Sequence, residues 1–135
     1  MNEIHKVGLL AIREGHILLC RKKNGTNLLI LPGGKIEANE SHLDCLTREL
    51  QEELSGVSVQ IFNHLGTYVD AAAGNLFAWV RIELYSGELT GEPEPRSEIA
   101  ELVWFGPQGD RSQLSPSLAN RILPDLIARG LLSWN

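Results

Sequence analysis

The sequence has little cysteine, no long apolar run and no excess of positive charge. Two cysteines in 135 residues are too few for a disulfide framework, and no Cys-x-x-Cys pair suggests zinc. The apolar runs, such as residues 7–12, are far too short to span a bilayer. The excess of 17 acidic over 12 basic residues argues against a protein that coats nucleic acid, which would need a basic stripe.

The remaining bulk features predict an ordinary intracellular domain. The N-terminus has neither the basic nor the apolar segment of a secretion signal, so we expect a cytoplasmic protein. The length predicts one domain over residues 1–135. Cys20 and Cys45 are interpreted as reduced, partly buried thiols. Four histidines show no ligand spacing and are interpreted as structural or solvated: His5, His16, His42 and His64.

Apolar periodicity and turn residues predict strands and helices in alternation. A hairpin over residues 5–23 is followed by a helix that Ser41 opens and Gly56 ends. Glycine and proline predict a loop over residues 86–97, and Pro124 is expected to kink or split a C-terminal helix. Further strands are predicted at 57–68, 76–85 and 101–105. This order predicts a mixed sheet with helices on its two faces.

The negative charge is concentrated in one segment. Residues 37–53 hold six acidic residues and one basic residue, while the rest of the chain is balanced. Glu49, Glu52 and Glu53 are three and four residues apart, so they share one helical sector of about 100°. Mg²⁺ and Mn²⁺ prefer carboxylate oxygens and would relieve the repulsion, so this face is interpreted as a metal site. A solvated acidic face is the alternative.

The same segment resembles the signature of the Nudix hydrolases. The signature reads Gly, five residues, Glu, seven residues, Arg-Glu, an aliphatic residue, any residue and Glu-Glu. This chain has Gly34, Glu40 and then Arg-Glu-Leu-Gln-Glu-Glu at 48–53, at the same spacing. The resemblance implies a Nudix-like α/β/α sandwich with a mixed β-sheet.

The chain departs from the signature in two places. The next signature glycine falls on Ser55, and Gly56 and Val57 follow one residue late, which suggests a one-residue insertion at the end of the helix. Leu29 stands where many relatives have tryptophan. Neither position is an implied ligand.

The resemblance implies metal-dependent hydrolysis of a nucleoside diphosphate linked to another group. Glu49, Glu52 and Glu53 would hold Mg²⁺ or Mn²⁺, with Glu40 assisting directly or through water. Arg48 would orient a glutamate through a charge-assisted hydrogen bond. The metal would bridge the acidic helix and the polyanionic substrate, and Arg48, Glu52 and Glu53 are the implied catalytic residues.

Four further residues are predicted to bind the phosphates. Gly33 and Gly34 permit a close backbone turn beside the helix. Arg21 and Lys23 share one face of the second strand by alternation, and relatives often carry a basic residue there facing the phosphates. A solvated strand end is the alternative for both basic residues.

The general base varies among relatives. Glu98 is favoured because it precedes the last strand, where several relatives place such a residue. Glu101, a helix glutamate and an ordinary surface role for Glu98 are the alternatives.

The substrate class is inferred from what is missing. The residues that mark relatives acting on ADP-ribose, diadenosine polyphosphates and coenzyme A are not found, which favours nucleoside triphosphates or modified nucleotides. Asn120 is at a position where nucleotide-cleansing relatives read the base, and an ordinary polar role is its alternative.

The alternative functions are a non-catalytic nucleotide-binding or regulatory domain, and hydrolysis of nucleotide sugars, dinucleoside polyphosphates or RNA 5′ ends. We expect a monomer or homodimer with no membrane or duplex nucleic-acid partner.

Overall fold

The computed structural model describes residues 2–134, except for the side chains of Asn75 and Leu76. No helix in this part is long and apolar enough to cross a membrane. The strands are β1 (Asn2–Arg13), β2 (His16–Lys22), β3 (Gly33–Lys35), β4 (Leu54–Ala72), β5 (Asn75–Pro95) and β6 (Ile99–Phe105). The helices are α1 (His42–Glu53) and α2 (Leu123–Ala128), with a 3₁₀ turn at Arg111–Gln113 and a π-helical turn at Leu118–Ile122.

The strands form one mixed sheet in the order β4-β5-β1-β2-β6. β1 and β5 run parallel from the pair Asn2↔Ala78 to the pair Ala11↔Gly87. The other pairings are antiparallel, and the short β3 pairs with β1 along the edge opposite β5. β3 therefore carries the turn before α1 into the centre of the sheet.

The two faces of the sheet pack against different helices. Alternate residues of β1 and β2 point to opposite faces, so each strand contributes to two hydrophobic clusters. The cluster under α1 contains Val7, Leu9, Ala11, Leu18, Cys45, Leu46 and Leu50. The cluster under α2 contains Leu10, Ile17, Leu19, Ile122, Leu123 and Leu126. Each fully buried leucine contributes about 1.5–3 kcal/mol, which holds both helices on the sheet. The predicted α/β/α sandwich with a mixed sheet is confirmed.

Helix α1 begins where the capping pattern predicts. Ser41 Oγ accepts a hydrogen bond of 3.1 Å from the Asp44 backbone N–H. The helix ends at Glu53, because Leu54 is already extended and its N–H donates to the Leu50 carbonyl. Glu53 is thus both the last helical residue and the neighbour of the buried Leu54, the first residue of β4.

The prediction that Gly56 ends the helix was wrong. Gly56 has a φ of +78° and lies within β4, at a register shift between Ser55 and Val57. The residue that is additional to the Nudix signature is therefore accommodated by a β-bulge after the helix. The carboxylates of α1 are unaffected by it.

The prediction of a loop over residues 86–97 was also wrong. β5 continues to Pro95 as the antiparallel partner of β4. Gly91 (φ +102°) lies beside the bulge, and a Cβ there would be 2.4 Å from the Gly56 carbonyl oxygen. Bulges and strand ends tolerate glycine and proline that a regular central strand excludes, so composition alone was misleading.

Pro124 does not split the C-terminal helix into separate pieces, because Ile122 and Leu123 both have helical backbone angles and the π-helical turn runs directly into α2. The π-helical turn ends at Ile122, and Pro124 lies in the first turn of α2. Because a proline cannot donate a backbone hydrogen bond, the regular α-helical spacing gives way here to the wider π-helical turn. Ser117 and Leu118, at the start of this segment, border the cavity described below.

Candidate active site

The turn at Gly33 and Gly34 brings the backbone directly against the last turn of α1. Gly33 has a φ of +141°, and a Cβ there would lie 2.0 Å from the Val7 carbonyl oxygen. A Cβ on Gly34 would lie 2.2 Å from Cδ of Glu49. Because glycine has no side chain at either position, the carboxylates of Glu49 and Glu53 can lie directly against the backbone of the turn.

Glu53 is the most enclosed carboxylate of the site, with 2% of its surface exposed. Its Oε1 accepts a hydrogen bond of 2.9 Å from the Gly33 backbone N–H. Burial raises the pKa of Glu53 to about 7, although this hydrogen bond opposes the shift. Burial also raises the pKa of Glu49, against the positive charge of Arg48. A cation nearby would favour the ionised form of both carboxyls.

Arg48 donates hydrogen bonds to three carboxylates at once. Its Nε and Nη2 donate to the two oxygens of Glu40 at 2.7 and 3.0 Å. Its Nη1 donates to Glu49 at 3.1 Å and to Glu52 at 3.4 Å. The hydrogen bond from Arg48, with one from the Glu37 backbone, lowers the pKa of Glu40 to about 2. Arg48 is therefore positioned to orient these side chains, in particular Glu40.

The donor set of α1 fits a hard divalent cation. Glu49, Glu52 and Glu53 offer only carboxylate oxygens, which Mg²⁺ and Mn²⁺ prefer. Glu52 is 54% exposed in its side chain, so the set is open to solvent on one side. Both oxygens of Glu40 are already engaged by Arg48, which suits Glu40 less well to direct ligation.

A cavity of about 210 Å³ lies beside the glycine turn. Gly33 and Gly34 form part of its wall, and Lys6 and Lys22 bring two positive charges to it. Pockets that enclose a whole ligand measure roughly 300–1,000 Å³, so this one would enclose only part of a nucleotide. The wall also includes Ile4, Thr26, Val80, Ile82, Ser115 and Ser117.

The structure does not bring Arg21 and Lys23 to the described cavity. Arg21 forms an ion pair with Glu101, and its Nε donates to the Asn27 carbonyl at 2.6 Å. Lys22 lines the cavity instead. Alternation does place Lys22 on the opposite side of β2 from Arg21, and the Lys22 side is the one that reaches the cavity.

Sequence reasoning also missed Lys6. It lies in β1 between His5 and Val7, on the opposite side of the strand from Val7. Burial and the charge of Lys22 lower the pKa of Lys6. The available signal was a charged residue directly before the apolar run of residues 7–12.

Glu98 lies next to this constellation. Its carboxylate is 3.5 Å from Lys22 Nζ and 57% exposed. Its charge also acts on Glu53, where it adds to the effects of burial and of Glu49 in raising the pKa. Glu101 is instead engaged with Arg21.

Asn120 does not line the described cavity. Its side chain is exposed, and Nδ2 donates to Asp70 Oδ2 at 3.3 Å. Earlier residues of the same segment, Ser115, Ser117 and Leu118, face the cavity. The predicted segment therefore does border the cavity, but through these residues and not through Asn120.

Comparison with known proteins identifies the family. The chain matches the family model of the NUDIX domain over residues 5–117. A CTP pyrophosphohydrolase of Escherichia coli (strain K12) is 30% identical over 114 residues, covering 80% of this chain and 79% of that protein. The NAD-capped RNA hydrolase NudC of Vibrio parahaemolyticus is 27% identical over 129 residues, covering 89% of this chain and 47% of that protein.

Solved structures share the fold. The E. coli ORF135 protein superposes with a TM-score of 0.74 at 24% identity, covering 97% of this chain and 94% of that one. A MutT protein of Methanosarcina mazei Go1 also gives 0.74, at 20% identity, covering 95% and 92%. Together with the family match over most of its length, these likenesses show that the chain belongs to the Nudix family and is a hydrolase that acts on phosphoric anhydrides.

Proposed function

We propose that this chain is a metal-dependent nucleoside triphosphate pyrophosphohydrolase, acting on ordinary or modified nucleotides. The observation that carries the proposal is the shared glycine turn. Gly33 and Gly34 contact the carboxylates of α1 and also form part of the cavity wall. A nucleotide in the cavity therefore extends its phosphates toward the carboxylates.

The two lysines of the cavity bind phosphate oxygens. Lys6 and Lys22 carry the positive charge of the cavity wall, and a triphosphate carries several negative charges. The apolar wall at Ile4, Val80 and Ile82 packs against the base or ribose. The cavity would then enclose the base or ribose, while the phosphates extend past the two lysines and out of it.

Carboxylates alone would repel the polyphosphate. Glu49, Glu52 and Glu53 would hold Mg²⁺ or Mn²⁺ between the helix and the substrate. The chemistry that such an ion supplies is Lewis acidity, which polarises phosphoryl oxygens and eases the deprotonation of water. Gly33 fixes the direction of the Glu53 carboxylate, and Arg48 fixes Glu40 and Glu49.

Glu98 is the proposed general base. It takes a proton from water while the water oxygen forms a bond to phosphorus and the bridging phosphorus–oxygen bond breaks. The products are a nucleoside monophosphate and pyrophosphate. Lys22, which pairs with Glu98, holds the carboxylate near the phosphates.

The relatives support a nucleotide substrate without deciding which one. The CTP pyrophosphohydrolase is named for a triphosphate, and NudC for NAD-capped RNA. We propose the triphosphate class because no basic groove beyond Lys6 and Lys22 lines the described cavity. The domain that performs this reaction is proposed to span residues 1–135.

A substrate panel tests the proposal. The protein is incubated with the common nucleoside triphosphates, NAD, ADP-ribose and a UDP-sugar, with Mg²⁺ or Mn²⁺, and pyrophosphate and phosphate are measured separately. We expect pyrophosphate and a monophosphate from at least one triphosphate. Glu53→Gln should lower kcat by on the order of 100-fold or more.

The matched control is Glu88→Gln, which removes an exposed carboxylate of β5. It should keep wild-type activity. Turnover of NAD or sugar nucleotides alone would contradict the triphosphate class, and full activity of Glu53→Gln would contradict the role of the helix. Binding of nucleotides without turnover of any of them would support a non-catalytic domain instead.

A further inference from the structure

Three histidines that are far apart in the sequence meet beside α1. His5 lies on β1, His64 on β4, and His42 is the first residue of α1. The ring centroids of His5 and His42 are 5.7 Å apart, and those of His42 and His64 are 6.4 Å apart. This cluster, with Glu83 of β5, is separate from the carboxylates at the other end of the helix.

Glu83 lies at the centre of the cluster. Its carboxylate is 6% exposed, and Oε2 accepts a hydrogen bond of 2.7 Å from His5 Nε2. Oε1 accepts from His64 Nε2 at 3.0 Å and from the Thr67 hydroxyl at 2.5 Å. A buried carboxylate held by two imidazoles is a costly arrangement that stability alone does not require.

The ligand atoms of His5, His42 and Glu83 lie within 4.8 Å of one another. A tetrahedral Zn²⁺ ion with bonds near 2.0–2.1 Å needs ligand atoms roughly 3.4 Å apart. The rings can close this difference by small rotations, because the side chains of His5 and His64 are 41% and 43% exposed. The same exposure gives an ion access from solvent.

Tyr85 orients the third imidazole. Its hydroxyl is 3.0 Å from His42 Nδ1. When Nδ1 carries the proton of this hydrogen bond, Nε2 keeps its lone pair for a metal ion. Thr67 plays the corresponding part for the carboxylate, so two of the ligands already have orienting partners.

We propose that His5, His42 and Glu83, with His64 as the fourth donor, form a binding site for a divalent transition-metal ion of the Zn²⁺ class. Imidazole nitrogen selects Zn²⁺, Co²⁺, Ni²⁺ or Cu²⁺ over Mg²⁺, whereas the α1 carboxylates favour Mg²⁺ or Mn²⁺. The ion takes the place of the protons between Glu83 and the Nε2 atoms of His5 and His64, and each ring then carries its proton on Nδ1. It ties the first residue of α1 to β1 and β5.

Direct metal binding tests this proposal. Tag-free protein is cleared of metal by a chelator and titrated with Zn²⁺ in competition with a chromophoric chelator, and Co²⁺ is added separately to observe the visible absorption of a tetrahedral complex. We expect one equivalent of Zn²⁺ and a tetrahedral Co²⁺ spectrum. His5→Ala and His42→Ala should each weaken Zn²⁺ binding by at least 10-fold.

Two controls isolate the cluster. His16→Ala removes the one histidine outside it and should leave binding unchanged. The triple change of Glu49, Glu52 and Glu53 to Gln removes the helix carboxylates and should also keep the bound equivalent, so the result is independent of the proposed hydrolysis. Circular dichroism shows that each variant is folded.

Three outcomes would overturn the proposal. One is the absence of a bound equivalent in the wild-type protein. Another is an affinity that does not change in folded His5→Ala and His42→Ala. The third is loss of the equivalent in the triple glutamine variant alone, which would place the ion at the helix carboxylates.

Discussion

The carboxylate of Glu49 occupies the space that a side chain at Gly34 would need. A methyl group on Gly34 would lie 2.2 Å from Glu49 Cδ and 2.4 Å from its Oε1. Because the obstructing atoms are the end of a flexible side chain, Gly34→Ala should displace the carboxylate and leave the fold intact. We expect kcat to fall by on the order of 100-fold with little change in Tm.

Gly33→Ala is the contrasting variant. Its methyl group would meet the backbone oxygen of Val7 at 2.0 Å, and its φ of +141° is strained for alanine. We expect a loss of at least about 2 kcal/mol in the free energy of unfolding, measured in urea. Equal losses of stability in the two variants would mean that the Glu49 side chain cannot move aside for a methyl group on Gly34.

Arg48→Lys tests geometry at constant charge. Lysine cannot reproduce the two parallel hydrogen bonds that Arg48 donates to Glu40 while also reaching Glu49. We expect the activity and the Mg²⁺ affinity to fall by about 10- to 100-fold. Arg96→Lys, at an exposed arginine that contacts a backbone carbonyl, is the control and should behave as wild type. Unchanged Mg²⁺ affinity in Arg48→Lys would mean that its charge alone is sufficient.

Glu98→Gln and Glu101→Gln separate the two candidates for the base. Glu98 pairs with a lysine of the cavity, whereas Glu101 pairs with Arg21. We expect Glu98→Gln to lower kcat by about 10²- to 10⁴-fold with little change in KM, and Glu101→Gln to keep most activity. A large loss of kcat in Glu101→Gln alone would assign the base to Glu101. Wild-type kcat in both variants would assign the base to a glutamate of α1.

Lys22 and Lys23 are adjacent, but only Lys22 lines the described cavity. Lys22→Ala should raise KM for a triphosphate by about 10-fold, and Lys23→Ala should leave it within about twofold of wild type.

Asn120→Ala should change the activity on nucleotides of every base by the same factor, since the Asn120 side chain faces Asp70. A base-dependent effect of Asn120→Ala would restore it as a base reader.

The pair Tyr68 and Asp125 predicts a pH dependence of stability. The Tyr68 hydroxyl donates a 2.5 Å hydrogen bond to Asp125 Oδ2, which lowers the pKa of Asp125. Burial, with this hydrogen bond, raises the pKa of Tyr68 to about 12. Because the pKa of Asp125 is lowered, the ionised carboxylate stabilises the fold above pH 3.8, its ordinary pKa. This contribution to stability is lost as the pH falls below that value. The raised phenol pKa stabilises the fold below 10.0 and is lost as the pH rises toward 12.

A double-mutant cycle measures this dependence. Tyr68→Phe, Asp125→Asn and the double variant are unfolded in urea from pH 3 to pH 8. We expect a coupling of at most about 1 kcal/mol near neutral pH, because Asp125 is partly exposed, and a decline below about pH 4. A coupling that stays constant down to pH 3 would contradict the assignment.

The sequence predicted the parts of the site that depend on local spacing. Glu49 and Glu53 share a helical face because of the period of the helix, and Ser41 caps it through its own turn. Lys22 was missed because alternation alone does not tell which side of a strand end faces the cavity. The strand through Gly91 was missed because a bulge depends on the partner strand. His5 and Glu83 meet only through the parallel pairing of β1 and β5, which no local pattern predicts. The cytoplasmic location and the oligomeric state stay predictions.

That parallel pairing also determines when the domain can fold. Asn2 of β1 pairs with Ala78 of β5, so a long loop must close before the centre of the sheet forms. A nascent chain that has emerged as far as Glu53 carries every carboxylate of the Nudix signature without the strand that completes its sheet. β1 and the apolar side of α1 stay exposed until β5 has been synthesised, and during that interval the chain is most open to chaperones and to aggregation.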